Sequence, residues 1–212
     1  MIEKNFRSFI KTILLPIAKA LTAVGITANM ITLVGLLVNG IAAFFLATGR
    51  LVVAGILILF GGSFDAMDGV VARISNKDES NASGALLDSV IDRYSEAVVF
   101  VGAMIYFYHL SHLLGVVLVF ASVIGSILVS YVRARAESLE VECKVGLMQR
   151  PERIVLLALG VLAQGIIIRY FSWESNGVIL ACVFAFLALT AHITALHRLV
   201  FSYSQLNGRS SE

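Results

Sequence analysis

The chain has 212 residues, of which 58% are apolar and only 14% are charged, whereas an ordinary soluble domain has about 45–50% apolar and about 25% charged residues. A soluble domain of this length has too little interior to bury so much apolar surface, so the surplus must face lipid. This composition indicates a membrane protein and excludes a secreted disulfide scaffold, a disordered chain and a nucleic-acid-binding domain. The formal net charge of +2 selects no partner by itself.

The first 24 residues predict an amphipathic helix that lies in the membrane interface. Basic residues are set away from its apolar face, and Lys11 and Lys19 interrupt the uncharged run that a cleavable signal peptide needs. The apolar residues that recur at helical spacing are Ile2, Phe6, Phe9, Ile10, Ile13, Ile17 and Leu21. A helix packed on the protein is the alternative, because periodicity does not separate lipid contact from protein contact.

Six later segments are long and apolar enough to cross a bilayer, which takes about 20 mostly apolar residues. These segments cover residues 29–48, 51–74, 84–108, 112–132, 153–172 and 177–198. The connectors are too short for a second domain, apart from the stretch 133–150. The sequence therefore predicts a single all-α integral membrane domain over residues 1–212, with six transmembrane helices after the interfacial one.

The positive charges predict the orientation of this domain. An even number of spans returns both ends to the same side, and that side receives every Lys and Arg residue except Arg50 and Arg169. Cytoplasmic loops of membrane proteins carry such an excess of positive charge. Both termini are therefore predicted to be cytoplasmic, in a cell (inner) membrane.

Four carboxylates lie inside or at the edges of the second and third spans: Asp65, Asp68, Asp88 and Asp92. An unpaired acid there costs ~2.5–3.5 kcal/mol even on a lenient insertion scale. The i, i+3 and i, i+4 spacings place each pair on one helix face, and two antiparallel spans would turn the pairs towards each other. Four such charges would repel one another and take up protons unless a cation lay among them. An all-oxygen site favours Mg²⁺ or Mn²⁺ over Zn²⁺, and four carboxylates favour two ions over one.

Three neighbours of the acids favour phosphate binding. Gly69 and Ala72 would leave open space beside the helix, and the planar fork of Arg73 suits bidentate phosphate recognition. Gly61 and Gly62, earlier in the same span, are interpreted as small residues that let helices approach each other.

The acids belong to a longer pattern. The stretch DAMDGVVAR at residues 65–73, followed by GALLDSVID at residues 84–92, closely resembles the signature of the CDP-alcohol phosphatidyltransferase family, D-x2-D-G-x2-A-R and then G-x3-D-x3-D. All eight fixed positions are matched, by Asp65, Asp68, Gly69, Ala72, Arg73, Gly84, Asp88 and Asp92. Such a pattern in an intramembrane setting is far more specific than a lone glycine motif.

Two departures from the family pattern stand out. The stretch between Arg73 and Gly84 is slightly longer than usual, and a nucleotide contact that the family takes from a hydroxyl residue in this turn would fall on Asn81. The segment GITANMIT resembles the family's T-P-N entry to the first span, with Ala28 in the place of the proline and Asn29 kept.

The resemblance implies a homodimeric enzyme that uses Mg²⁺ or Mn²⁺ to join the lipid phosphate of CDP-diacylglycerol to an alcohol, with release of CMP. It implies that Asp65, Asp68, Asp88 and Asp92 hold the metals, and that Asp92 also takes the proton of the acceptor hydroxyl. The residues that it places around the CDP-lipid are Asn29, Gly69, Ala72, Arg73, Asn81 and Gly84.

The remaining cytoplasmic charge bears on the acceptor. Arg133, Arg135, Lys144, Arg150 and Arg153 surround one connector, which favours an anion pocket and a phosphorylated acceptor. The alternative is that these are ordinary membrane-flanking positive charges.

RARAE followed by RPER resembles the phosphatidylinositol-phosphate synthase branch of the family, which uses inositol 1-phosphate. The positions that the branch implies for the acceptor pocket are Ser130, Arg133, Arg135, Pro151, Arg153 and Arg198. Glycerol 3-phosphate, the acceptor of a phosphatidylglycerophosphate synthase, is the alternative, because its phosphate makes the same electrostatic demand.

A proton- or cation-coupled transporter is the rival from another class, because such proteins also carry intramembrane acids. The sequence shows neither inverted repeats nor interrupted helices. The four acids also lie near one face of the membrane and not at its midplane. Both observations favour the enzyme.

Overall fold

The computed structural model describes residues 14–75, 82–171 and 176–209. Within these ranges the protein consists of seven helices joined by turns and one longer connector, and contains no strand. The helices are α1 (Leu14–Ala23), α2 (Ala28–Ala47), α3 (Leu51–Ser75), α4 (Ala82–His109), α5 (Leu113–Ser138), α6 (Arg150–Phe171) and α7 (Val178–Arg209). The prediction of an all-α protein is confirmed.

Five of these helices, α2, α3, α5, α6 and α7, are long and apolar enough to cross a membrane. The protein is therefore a multi-pass membrane protein. Helix α4 has 28 residues, but its first half carries Asp88, Asp92, Arg93 and Glu96, and its uncharged run covers only residues 97–109. Helix α4 is therefore long enough to cross a membrane, but its first half carries charged residues of the candidate site.

Several helices extend beyond the predicted spans. Helix α5 ends at Ser138 where the predicted span ends at 132, α7 ends at Arg209 where the span ends at 198, and α6 begins at Arg150 where the span begins at 153. The hydropathy pattern marks where apolar side chains end. The backbone hydrogen bonds of a helix continue past that point into polar sequence.

Short turns and caps set where successive helices end and begin. Gly49 has a φ of +77° in the turn between α2 and α3, a left-handed conformation that glycine adopts without strain. Thr27 caps the start of α2, where its Oγ1 accepts a 3.4 Å hydrogen bond from the Met30 backbone N–H. Helix α2 packs along both α3 and α4, α5 packs along α7, and α3 packs along α6.

The main core lies at the centre of the bundle and is built on large aromatic side chains. Phe100, Phe107 and Phe184 are fully or almost fully buried. The rings of Phe100 and Phe184 meet edge to face, with centroids 5.5 Å apart. This packing fixes the relative positions of α4 and α7, whose polar ends contribute to the candidate site.

Helix α1 packs at the end of the bundle where α2 begins. Ala18 is fully buried, and Leu14 and Leu21 pack against the same small cluster, which includes Val70 and Val71 of α3. One face of α1 therefore packs on the rest of the protein, as the alternative interpretation of this segment expects. Another face is open, since Ile17 is 46% exposed and Leu15 is 41% exposed. Residues 1–13 of the predicted interfacial helix lie outside the described residues.

Candidate active site

The predicted acids meet at one end of the bundle, where α3 ends and α4 begins. Asp65 and Asp68 lie on α3, and Asp88 and Asp92 lie on α4. Asp88 is close enough to the other three carboxylates to interact with each of them electrostatically. Asp68 is 5% exposed, and its Oδ2 accepts a 2.8 Å hydrogen bond from Thr32 Oγ1 of α2.

A guanidinium group lies among these acids. Nη1 of Arg150, at the start of α6, is 2.5 Å from Oδ2 of Asp65 and 2.7 Å from Oδ1 of Asp92. Arg150 Nε is buried without a hydrogen-bond partner in the described part of the chain. The sequence pattern predicts that Arg150 belongs with the acceptor cations, whereas the structure places it in the acidic cluster formed by Asp65, Asp68, Asp88 and Asp92.

The cluster suits a hard cation by its chemistry. The donor atoms are carboxylate oxygens, which Mg²⁺ and Mn²⁺ prefer, and Arg150 already supplies positive charge between Asp65 and Asp92. No three Asp, Glu, His or Cys side chains converge to hold a metal ion within residues 14–75, 82–171 and 176–209, and Arg150 contacts an oxygen of Asp65 and an oxygen of Asp92. A metal ion and the guanidinium would therefore compete for the same oxygens.

The glycines of α3 fall into two kinds. A Cβ atom on Gly69 would meet only Arg73 Nη2, at 3.6 Å, an ordinary van der Waals distance. A Cβ atom on Gly61 would lie 2.8 Å from the Asn39 amide, and one on Gly62 would lie 3.2 Å from Ile154. Gly61 and Gly62 therefore serve helix packing, whereas the space beside Gly69 is open. Arg73 borders that space, with Nε donating a 2.7 Å hydrogen bond to the Gly69 carbonyl.

Part of the predicted acceptor pocket converges around α7. Arg198 lies close enough to Arg133 of α5 and to Arg153 of α6 for its charge to be repelled by each of theirs. These three arginines form the basic group. Arg133 Nε is also paired with Glu137 Oε1 at 2.8 Å. Glu137 offsets part of the positive charge of this group, and a bound anion would offset more of it.

The other predicted acceptor residues are spread around this group. Ser130 is half-buried on α5, and Pro151 is exposed in the first turn of α6. Arg135 is exposed and lies 3.4 Å from Ser138 Oγ, on its own helix, at its Nη1. These contacts do not bring Arg135 to the other arginines.

Arg198 has a second role in the structure. Its Nε donates to the Val145 carbonyl and its Nη1 donates to the Val129 carbonyl, both at 2.8 Å. The first bond anchors the connector between α5 and α6, and the second anchors α5 to α7. Arg198 therefore holds the connector and α5 in place beside the basic group, and it also contributes its own positive charge to that group.

Arg153 is the most buried member of the group. It is 3% exposed, and its Nε and Nη2 donate to Oε1 and Oε2 of Glu96 at 3.0 and 3.1 Å. Glu96 lies one turn after Asp92 on α4, and Arg153 lies one turn after Arg150 on α6. The two helices are thus joined by two ion pairs, Asp92 with Arg150 and Glu96 with Arg153.

A family model described as CDP-alcohol phosphatidyltransferase matches residues 25–203, a range that contains the acidic cluster and the basic group. The chain belongs to the CDP-alcohol phosphatidyltransferase family. Transfer of a phosphatidyl group is therefore its class of reaction, and the transporter alternative has no support.

Two relatives of this phosphatidyltransferase are named as synthases of inositol phospholipids. The archaetidylinositol phosphate synthase of Methanothermobacter thermautotrophicus is 33% identical over 202 residues, which cover 95% of this chain and 94% of the relative. The phosphatidylinositol phosphate synthase of Corynebacterium glutamicum is 34% identical over 172 residues, which cover 78% and 77%.

A solved structure is similar over almost the whole phosphatidyltransferase. The phosphatidylinositol phosphate synthase of Mycobacterium tuberculosis with CDP-DAG bound has a TM-score of 0.77 and 28% identity, over 91% of this chain and 94% of that chain. The same enzyme in complex with manganese and citrate has a TM-score of 0.75 and 28% identity, over 89% and 88%. The second complex indicates that divalent metals are used in the family.

The remaining predicted CDP-lipid residues of the phosphatidyltransferase lie near the same end of the bundle. Asn29 is exposed in the first turn of α2, one turn before Thr32. Gly84 lies in the first turn of α4, and Ala72 is half-buried near the end of α3. Asn81 lies outside the described residues.

Two residues of this site, Glu96 and Thr32, are not among those predicted from the sequence. Glu96 carried a usable signal, because it is a further intramembrane acid one turn after Asp92. Thr32 carried none, since a threonine inside an apolar helix is common, and its bond to Asp68 spans 36 positions in the chain.

The open space at Gly69 leads to a prediction with a matched control. Gly69→Ala should lower the transferase rate at least about tenfold, equivalent to 1.36 kcal/mol, because a methyl group would occupy space beside the acids. Its stability should hold or rise by up to about 1 kcal/mol, since alanine favours the helix. Gly61→Ala should instead lower stability by about 1–3 kcal/mol through overpacking against Asn39. Thermal unfolding and CMP release in detergent measure both, and equal rates for Gly69→Ala and wild type would contradict the prediction.

Proposed function

We propose that this phosphatidyltransferase transfers the phosphatidyl group of CDP-diacylglycerol to inositol 1-phosphate, giving phosphatidylinositol phosphate and CMP. The observation that carries the acceptor is the meeting of Arg133, Arg153 and Arg198 beside the acidic cluster. Such a group favours an acceptor that is itself a phosphate. The relatives add the polyol: one is named for an archaetidyl lipid and the other for a phosphatidyl lipid, and both are named for an inositol phosphate product.

The four aspartates divide the chemistry among them. We propose that Asp65, Asp68, Asp88 and Asp92 hold two Mg²⁺ or Mn²⁺ ions, which when bound neutralise the diphosphate and stabilise the CMP that leaves. Asp92 takes the proton of the acceptor hydroxyl as its oxygen attacks the lipid-side phosphorus. The bond from that phosphorus to the oxygen of CMP breaks, and CMP departs with the electron pair.

The other residues orient the two substrates. Thr32 holds Asp68 in a fixed position through its hydrogen bond. The open space at Gly69 lets the diphosphate approach α3, with Arg73 at its edge and Asn29, Ala72, Asn81 and Gly84 around the nucleotide. The acceptor phosphate is held by Arg133, Arg153 and Arg198, with Ser130, Arg135 and Pro151 at the border of the pocket.

The membrane arrangement follows from the same residues. We propose that α4 also crosses the membrane, with its charged first half at the site, which gives six spans in all. We also propose that the first 24 residues form the interfacial helix. We propose that the site and both termini lie on the cytoplasmic side of the inner membrane, and the excess of positive charge at this end supports this orientation. Acyl chains can then stay in lipid while the CDP head meets a soluble acceptor. Residues 1–212 form one such catalytic domain, and two copies form a homodimer.

Purified protein with Mg²⁺ and CDP-diacylglycerol tests the acceptor directly. CMP release should depend on inositol 1-phosphate, and free inositol and serine should not replace it because they lack the phosphate that the arginines bind. Glycerol 3-phosphate is the critical comparison. Release that depends on glycerol 3-phosphate alone would keep the reaction class and overturn the proposed acceptor.

A further inference from the structure

Glu96 is a buried charge that the proposed chemistry does not use. It is 8% exposed, and it lies on α4 beyond the four aspartates. A buried ion pair stabilises a fold little compared with well-packed apolar residues in the same place. Its presence beside the site therefore calls for a role other than stability.

The pair with Arg153 fixes the direction of the guanidinium plane. Glu96 accepts from Nε and Nη2, at 3.0 and 3.1 Å, which is one edge of the planar group. Arginine has five N–H donors in a rigid fork, so a carboxylate on one edge sets where the remaining donors point. Nη1, with two N–H groups, is not part of this pair.

The carboxylate is itself held from a third helix. Ser126 Oγ of α5 donates to Glu96 Oε1 at 3.4 Å, and Ser126 is 5% exposed. Glu96, Arg153 and Arg150 also line a small cavity between the helices, together with Asn39 and Ser95. Ser126 of α5 thus holds Glu96, and Glu96 in turn holds Arg153 of α6. This contact lies between the acidic cluster and the basic group.

We propose that Glu96 is a positioning residue for the acceptor: it holds Arg153 by one edge of the guanidinium so that the other edge serves the acceptor phosphate. This inference rests on the proposed function of the basic group. Without Glu96, nothing fixes the orientation of the Arg153 guanidinium. Asp92, which lies one turn before Glu96 on α4, would then compete with the acceptor phosphate for Arg153. The acceptor would then bind poorly, while the CDP-lipid, held at Gly69 and Arg73, would not be affected.

Steady-state kinetics of Glu96→Gln tests this role. We expect the KM for inositol 1-phosphate to rise at least tenfold and the KM for CDP-diacylglycerol to change less than twofold. Glu96→Asp, which keeps the charge, should recover part of the affinity for the acceptor. A merely structural role would lower the active fraction, and hence the maximal rate, with both KM values unchanged. That result would overturn the inference.

A second pair of variants, each of which removes only one hydroxyl group, tests the inference even if Glu96→Gln does not fold. Ser126→Ala removes only the hydroxyl that holds Glu96, and should raise the acceptor KM about threefold to tenfold, the range of one net hydrogen bond. Ser122→Ala is the matched control, because Ser122 is equally buried one turn earlier on α5 and donates to the backbone carbonyls of Leu118 and Phe184. Equal acceptor KM values in the two serine variants would overturn the inference. Failure of wild type to saturate with inositol 1-phosphate would instead count against the proposed function.

Discussion

Asp92→Asn should lower CMP release at least about 10²- to 10⁴-fold, the contribution of a positioned general base. Asparagine has nearly the same shape as aspartate but does not take the acceptor proton at neutral pH. It also weakens the proposed metal site, so the loss should lie at the upper end of this range or beyond. Arg150 would keep its partner Asp65, so the helices should stay in register.

The measurement is CMP release by purified Asp92→Asn protein beside wild type, with gel filtration to show that both are folded. Glu142→Gln is the matched control, since Glu142 lies exposed on the connector and pairs with Lys144. It should retain wild-type activity. Folded Asp92→Asn protein with more than a tenth of the wild-type rate would show that another group takes the proton.

The acidic cluster could be predicted because its geometry is local. Spacings of three and four residues within α3 and α4 place each pair of aspartates on one helix face. The cost of charge in an apolar helix makes the same four residues conspicuous. The helical class follows equally directly, because long apolar segments in a bilayer have few structures open to them.

The partners of the arginines could not be predicted in this way. Arg150 meets Asp65 across 85 positions in the chain and Arg153 meets Glu96 across 57, so both pairs depend on how α6 lies against α3 and α4. Arg198 binds the carbonyls of Val129 and Val145, and backbone acceptors leave no trace in a sequence. From the sequence, the cations near the connector formed one group. In the structure Arg150 joins the acidic cluster and Arg133 and Arg153 join the basic group, whereas Arg135 and Lys144 contact Ser138 and Glu142 instead.

Arg150→Gln should bind Mn²⁺ more tightly than wild type, although it removes a residue of the active site. The guanidinium contacts Asp65 and Asp92, the oxygens that we assign to metal. Hydrogen bonds to charged groups contribute about 1.5–3 kcal/mol each. A metal ion that no longer displaces them should gain about tenfold or more in affinity.

The same variant should be less stable than wild type when no metal is present. Loss of Arg150 leaves two carboxylates without their cation, and breaking a buried ion pair from one side costs about 3–5 kcal/mol. The pair is partly exposed, with side-chain exposures of 16% for Arg150 and 29% for Asp65, so the cost should fall below that range. Addition of Mn²⁺ should restore most of it, because the ion replaces the lost charge and binds only the folded protein.

Thermal unfolding of both proteins across a Mn²⁺ series, with isothermal titration of the metal, measures the two effects together. Arg150→Gln should start from a lower melting temperature and show the larger rise. Arg93→Gln is the control, because Arg93 lies 3.8 Å from Asp92 and is 43% exposed, so its response to Mn²⁺ should follow wild type. Weaker Mn²⁺ binding by Arg150→Gln would mean that Arg150 organises the carboxylates for the metal and does not compete with it.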